Sequence, residues 1–255
     1  MESSKIAVVT GGASGIGEAC SIRLNMDGYK VIVADIDNTK GKLVADKVMG
    51  EYISLDISNS DDISEKASYI WDTFGPVEIL VNCAGILQKG PLKPNELNIE
   101  DWDRLVTIDQ RGTFLACVEF GILMSNAEYG SIINIASVTG MRSVPLHGYA
   151  PAKAAVISMT ACLAAEWGGS GVRVNCVSPG YTRTPAISNA IERKDRSEEA
   201  ILANTALRRW VEPEEVANVV SFLASSQSSA MTGVNLPVDA GWLAASSWST
   251  YGGIR

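Results

Sequence analysis

Seven short runs rich in β-branched residues, at 6–9, 31–34, 52–55, 79–82, 132–135, 173–177 and 234–238, recur along the chain with helix-length segments between them. Runs this apolar are buried on both faces, and intervals of a dozen or more residues suit helical crossovers between parallel strands. The pattern predicts an α/β fold: a doubly wound parallel sheet of about seven strands with helices on both faces, among them 62–74, 101–124, 149–167 and 213–224. No internal repeat, low-complexity linker or block of like charge interrupts the alternation, so a single domain is expected over 1–255. A hydrophobic content of 46% is ample for its core. The least regular stretch, 181–210, follows a Pro-Gly pair and carries the charged run Glu192-Arg193-Lys194-Asp195-Arg196, which reads as a lid.

The first run leads directly into Thr10-Gly11-Gly12-Ala13-Ser14-Gly15-Ile16-Gly17. A strand entering a glycine-rich turn that opens a helix offers backbone N–H groups and the positive end of the helix dipole to a pyrophosphate, and glycine lets that backbone come close. At the carboxyl end of the second run stands Asp35. Its carboxylate suits the two ribose hydroxyls of an adenosine and opposes a 2′-phosphate, so NAD(H) is the expected cofactor. Any one such glycine or aspartate is as readily a turn former. Further down the chain, Tyr149 and Lys153 are four residues apart on a predicted helix and project the same way, while Ser137 lies just beyond the run 132–135. A free tyrosine, with a pKa near ~10, is a poor proton acceptor at neutral pH. A lysine ammonium at ~4 Å in an effective dielectric of ~20 favours the phenolate by roughly 4 kcal/mol, an upper estimate that predicts a lowered Tyr149 pKa.

These residues together resemble the short-chain dehydrogenase/reductase family over about residues 5–241. The glycine spacing is GxxxGxG rather than the common GxGxxG. The resemblance implies a Rossmann-type sheet in the order 3-2-1-4-5-6-7 and a Ser137-Tyr149-Lys153 catalytic set. Tyr149 would exchange the proton of an alcohol, Ser137 would hydrogen-bond its oxygen, and Lys153 would also hold the nicotinamide ribose. It implies cofactor contacts from Gly11, Ser14, Gly15, Ile16 and Gly17 in the turn, from Asp35, and from Asp56 and Ile57 at the adenine. Asn82, Ala84 and Gly85 of an NNAG-like Asn82-Cys83-Ala84-Gly85, and Pro179, Gly180, Thr182 and Thr184 of a PGxxxT segment, complete that set. NADP-preferring members usually place Arg or Lys in the glycine turn or just after the second strand, where this chain has Ala13, Ser14 and Ile36. One departure is Asp109-Gln110-Arg111-Gly112-Thr113-Phe114, which puts Asp109 where the family's fourth catalytic residue is Asn. Asp109 is either a tolerated substitute or an added negative charge near Lys153.

The expected activity is NAD-dependent interconversion of a secondary alcohol and a ketone. Gln88, Lys89, Arg142, His147 and Arg183 lie in segments expected at the site mouth, and favour a small polar substrate such as a polyol, sugar alcohol or hydroxy acid. The alternative is an NAD(H)-binding redox sensor or scaffold without turnover, for which the Ser-Tyr-Lys set would be superfluous. A net charge of −8 without a basic cluster argues against nucleic acid or anionic membrane as a partner. No apolar run is long enough to span a bilayer and no leader pattern opens the chain, so a cytoplasmic location is expected. Cys20, Cys83, Cys117, Cys162 and Cys176 form no CxxC pair, which suits reduced thiols and no metal site. The helical segments 101–124 and 149–167 are apolar around much of their circumference, and the resemblance implies that they pair subunits into a homotetramer. The tail 242–255, with Trp242, Trp248 and Tyr251, is expected to cross a subunit boundary near a neighbour's site mouth.

Overall fold

The computed structural model describes residues 5–245 and 247–254. Seven parallel strands form one sheet in the order β3-β2-β1-β4-β5-β6-β7. The first half runs β1 (Ile6–Thr10), α1 (Gly15–Met26), β2 (Lys30–Asp35), α2 (Asn38–Lys47), β3 (Glu51–Ser54), α3 (Ser60–Phe74) and β4 (Val77–Asn82). The second runs α4 (Ile99–Leu105), α5 (Thr113–Asn126), β5 (Gly130–Ile135), α6 (Tyr149–Trp167), β6 (Val172–Pro179), α7 (Pro185–Glu192), α8 (Glu198–Ala203), α9 (Pro213–Ala224), β7 (Asn235–Val238) and the short α10 (Trp242–Ala245). The switch in winding direction falls between β1 and β4, and the carboxyl ends of both open into the same crevice, the position where such sheets hold ligands.

Strand alternation divides the core into two halves. Ala7 and Val9 of β1 face a cluster with Leu24 of α1 and Val216, Val220 and Leu223 of α9. Ile6 and Val8 face the other side, with Ile63 and Ile70 of α3 and Phe120 and Met124 of α5. Helix starts are set locally. Asn59 accepts from the N–H groups of Asp61 and Asp62 to open α3, Asp37 does the same for Thr39 and Lys40 in α2, and Thr184 with Pro185 at the first position opens α7. Gly75, at φ 103°, ends α3.

The expected helix 101–124 is realised with one change. Between α4 and α5 the backbone widens into a π-helical segment, Val106–Gly112. There Gly112 packs so closely on the Ile57 backbone that a Cβ would collide with its carbonyl, and the Thr113 hydroxyl donates to the Asp109 carbonyl at 3.0 Å. The wider turn carries the Asp109 side chain fully into the interior. Among the described residues no helix is long and apolar enough to cross a membrane.

Candidate active site

The crevice at the carboxyl ends of the strands is a cleft of about 550 Å³. Its lining includes Gly11, Ser14, Gly15, Ile16, Asp35, Asp56, Ile57, Ala84, Gly85, Asp109, Ser137, Tyr149, Lys153, Pro179, Gly180, Thr182 and Thr184. Two residues expected to touch cofactor stand behind it. A Cβ on Gly17 would strike the Gly11 carbonyl, so Gly17 seats α1 against the turn. Asn82 is buried and donates from Nδ2 to Asn134 Oδ1 at 2.9 Å, holding β4 to β5, while Asn134 in turn donates to Thr160 Oγ1 at 3.0 Å. Both shape the wall without forming it.

The glycine turn fits a dinucleotide phosphate. Gly11 has φ +66°, and a Cβ there would lie 2.6 Å from the Ala84 backbone. The Ser14 side chain at the N-cap of α1 makes no capping hydrogen bond, which leaves the first-turn N–H groups to an incoming anion. Asp35 is held on both oxygens: Oδ2 accepts from Ala13 N at 3.0 Å and Oδ1 from Asp37 N at 2.9 Å. No lysine or arginine of the glycine turn, or of the residues that follow β2, lines the cleft.

At the other end, α6 begins at Tyr149, and Lys153 one turn on places Nζ 5.6 Å from the Tyr149 ring centroid. Lys153 Nζ donates to the Ile135 carbonyl at 3.2 Å and lies 3.7 Å from Asp109 Oδ2. Asp109 Oδ1 accepts from Ile86 N at 2.8 Å, and Oδ2 has no hydrogen-bond partner among the described residues. The Asp109 carboxyl therefore faces Lys153 at ion-pair distance. Gly85 covers the pair, and a Cβ there would sit 3.3 Å from Asp109 Oδ1 and 3.4 Å from Lys153 Nζ. Ser137, at the end of β5, accepts from Thr139 N at 3.2 Å and from Thr139 Oγ1 at 2.9 Å, which leaves its own proton to face the cleft.

The electrostatics correct the expected lowering of the Tyr149 pKa. Burial pushes the phenol above its usual range, the Lys153 charge and the Ser137 hydroxyl pull it down, and Asp109 adds to the rise. The field of one lysine is outweighed by desolvation and by the opposite charge that sequence alignment could only suggest. Burial also raises the Asp109 carboxyl against the pull of Lys153 and of the Ile86 N–H. For Lys153, burial acts downward, but Asp109 and Tyr149 together hold the ammonium above its ordinary value.

The side chains expected at the mouth are placed otherwise. None of Gln88, Lys89, Arg142, His147 and Arg183 lines the cleft; Arg104 and Arg196 do. Arg183 is exposed and pairs with Glu212 at 3.1 Å, and Arg142 donates to the Leu243 carbonyl at 3.1 Å. Gln88 is buried, and its Oε1 accepts from Gly148 N at 2.9 Å and Tyr149 N at 3.3 Å, so it serves as the acceptor for the start of α6, where Gly148 supplies no side-chain cap. Nothing in the local sequence pairs residue 88 with 148; only its position after β4 suggested a site role.

The segment 181–210, expected as a lid, comprises α7 and α8 and is tied at its base by a bridge of Thr182 to Val211, with Arg183 N to the Val211 carbonyl at 2.9 Å and Val211 N to the Tyr181 carbonyl at 3.1 Å. The described tail packs on its own subunit: Trp242 meets Tyr181 edge-on at 6.0 Å, and Arg208 donates to the Ile254 carbonyl at 2.7 Å. Ser246, Arg255 and the Tyr251 side chain lie outside the described residues.

A family model described as enoyl-(acyl carrier protein) reductase matches residues 11–243. The 3-alpha-(or 20-beta)-hydroxysteroid dehydrogenase of Mycobacterium bovis is 36% identical over 254 residues, covering 98% of this chain and 94% of the relative. The crystal structure of levodione reductase superposes with a TM-score of 0.89 at 30% identity, covering 94% of this chain and 98% of that one. A crystal structure described as ribose-5-phosphate isomerase from Brucella melitensis 16M has a TM-score of 0.97 at 49% identity, covering 99% and 98%. The chain belongs to the short-chain dehydrogenase/reductase family. The family's members are oxidoreductases that use a nicotinamide cofactor, NAD or NADP.

Proposed function

We propose that the protein is an NAD-dependent dehydrogenase/reductase that interconverts a secondary alcohol and a ketone on a small polar substrate. The observation that carries this reading is the convergence of Ser137, Tyr149 and Lys153 on one cleft with the glycine turn and Asp35. A bound nicotinamide dinucleotide supplies the hydride chemistry. The turn from Gly11 to Ile16 and the N-terminus of α1 would hold its phosphates, Asp35 its adenosine ribose, and Lys153 its other ribose. In the oxidation direction, Ser137 Oγ donates to the substrate oxygen and holds it beside Tyr149, whose ionised phenolate Oη takes the alcohol proton. Lys153, kept protonated by Asp109, supplies the positive field that opposes the effect of burial on the phenol.

Asp35 favours NAD over NADP because a 2′-phosphate would meet a carboxylate already held by two backbone N–H groups. A polar substrate is supported by Arg104 and Arg196 in the cleft wall and by the sugar phosphate in the name of the Brucella structure. The test is nicotinamide absorbance at 25 °C with a panel of polyols, sugars and hydroxy acids, and their ketones, using both dinucleotides. Turnover is expected with NAD(H) at least about tenfold better in kcat/KM than with NADP(H). Tyr149→Phe is expected to lower turnover by roughly two to four orders of magnitude while NADH binding persists. NADH binding with no turnover of any panel member would instead support the sensor reading.

A further inference from the structure

Beside the main cleft lies a second cavity of about 400 Å³, and Leu146, Tyr181 and Arg196 line both. Arg196 comes from the turn between α7 and α8, which is held rigidly. Lys194 sits there in the left-handed region at φ 62°, its N–H donates to the Ile191 carbonyl at 2.8 Å, and Asp195 N donates to the Ala190 carbonyl at 2.9 Å. Arg193 and Asp195 pair with each other at 3.0 Å, so the nearest carboxylate in sequence is already engaged. Arg196 itself is half-buried, and its one described hydrogen bond runs from Nη1 to the Asp195 carbonyl at 2.7 Å. No carboxylate of the described residues stands within ion-pair distance of it, in contrast to Arg23, Arg183, Arg193 and Arg209, each of which has one.

A guanidinium taken partly out of water beside Leu146 and the Tyr181 ring, with Nε and Nη2 donors to spare, lacks the counter-charge that burial demands. Its planar fork matches the oxygens of a carboxylate or a phosphate. We infer that Arg196 is the anchor for an anionic group, carboxylate or phosphate, on the substrate, so that the substrate is a charged hydroxy or oxo compound held by its anion at the lid and by its reacting carbon near Tyr149. This rests on the dehydrogenase reading for the word substrate, but the anion site itself does not. Because Arg196 belongs to the lid and Tyr149 to the sheet-bound helix α6, a substrate bridging the two would also draw the lid onto the cleft.

Two measurements test it separately. First, oxalate and inorganic phosphate are titrated into the NADH-bound protein with tryptophan fluorescence as the readout, Trp242 lying against Tyr181. Saturable binding of at least one anion is expected, weakened by about tenfold or more in Arg196→Met and unchanged in Lys194→Met, whose side chain lines neither cavity. Binding that is absent, or equal in the parent and Arg196→Met, overturns the inference. Second, kcat/KM is compared for acetoacetate against methyl acetoacetate and for dihydroxyacetone phosphate against dihydroxyacetone. Preference for the charged member in the first pair identifies a carboxylate substrate, and in the second a phosphate; Arg196→Met should cut that preference by about tenfold or more. A preference for the neutral members, or one that survives Arg196→Met, also overturns it. Arg196-dependent anion binding without reduction of any carbonyl would leave the anion site standing and remove the dehydrogenase reading, whereas turnover indifferent to charge would do the reverse.

Discussion

Asp109 sets the electrostatic character of this site. Its Oδ2 lies 3.7 Å from Lys153 Nζ, and its charge raises the pKa of Tyr149 while Lys153 lowers it. Asparagine of the same shape would keep the acceptor for the Ile86 N–H and remove the charge. Asp109→Asn is therefore expected to lower the Tyr149 pKa. On the proposed role of Tyr149 as proton acceptor, oxidation uses the phenolate, and the rising limb of its pH profile should move to lower pH in the variant. Stopped-flow rates of NAD reduction across pH check this, and an unmoved limb with activity retained would show that Asp109 is neutral in the working enzyme. Gln88 acts through another residue. Gln88→Leu leaves the N–H groups of Gly148 and Tyr149 without their acceptor, which should cost about 1–3 kcal/mol of stability and lower kcat through displacement of Tyr149. Gln88→Glu keeps an acceptor at a helix N-terminus and should recover both the Tm and kcat.

At the scale of elements, α9 begins at a charged capping arrangement. Arg209 binds Glu215 through both oxygens at 2.7 and 2.8 Å, and Glu215 accepts from the Glu212 N–H at 2.9 Å. These contacts depress the Glu215 carboxyl from its usual range to about 2, chiefly through the Arg209 side-chain hydrogen bonds. A carboxyl depressed in the folded state contributes stability that is present above its unfolded pKa and is lost as the pH falls toward the folded value. Glu215→Gln is thus expected to lower the Tm at pH 7, with the difference from the parent shrinking between roughly pH 4.5 and pH 2. Differential scanning calorimetry across that range is the check, and a difference independent of pH would reject the assignment. The stakes are local: α9 follows closely on Val211, which bridges to Thr182 at the base of the segment 181–210.

For the whole molecule, α5 leaves Phe114 and Ile122 at 42% and 50% exposure, and α6 leaves Ala161, Cys162 and Ala165 exposed. Apolar surface of this kind on two long helices favours association, and we expect a homotetramer at micromolar concentration by light scattering, with a monomeric mass as the contrary result. The tail belongs to the same scale, because it links the lid to the end of the sheet. A chain ending at Gly241 loses the Trp242 contact with Tyr181 and the Leu243 acceptor of Arg142. The substrate KM should rise several-fold, while NADH affinity persists because the glycine turn and Asp35 lie elsewhere; an unchanged KM would show the tail to be dispensable.

The order of strands and helices, the glycine turn and the Tyr149-Lys153 spacing are legible in the chain because each depends on neighbours within a turn or a strand. Apolar period, φ freedom at Gly11 and a four-residue helical offset are local properties, and with the family resemblance they indicate the sheet order and about half of the cleft wall, though none of the side chains expected at its mouth. The tertiary structure decided the rest. Whether Asp109 faces Lys153 depended on a widened turn packed against Ile57, about 50 residues away in sequence. Gln88 reads as a residue of the site mouth until α6 is laid against it, and Arg196 is indistinguishable from Arg193 until one lines the cleft and the other pairs with Asp195. The pKa of Tyr149 rises for the same reason: desolvation is the sum of everything packed around a group, and no local stretch of sequence contains that sum.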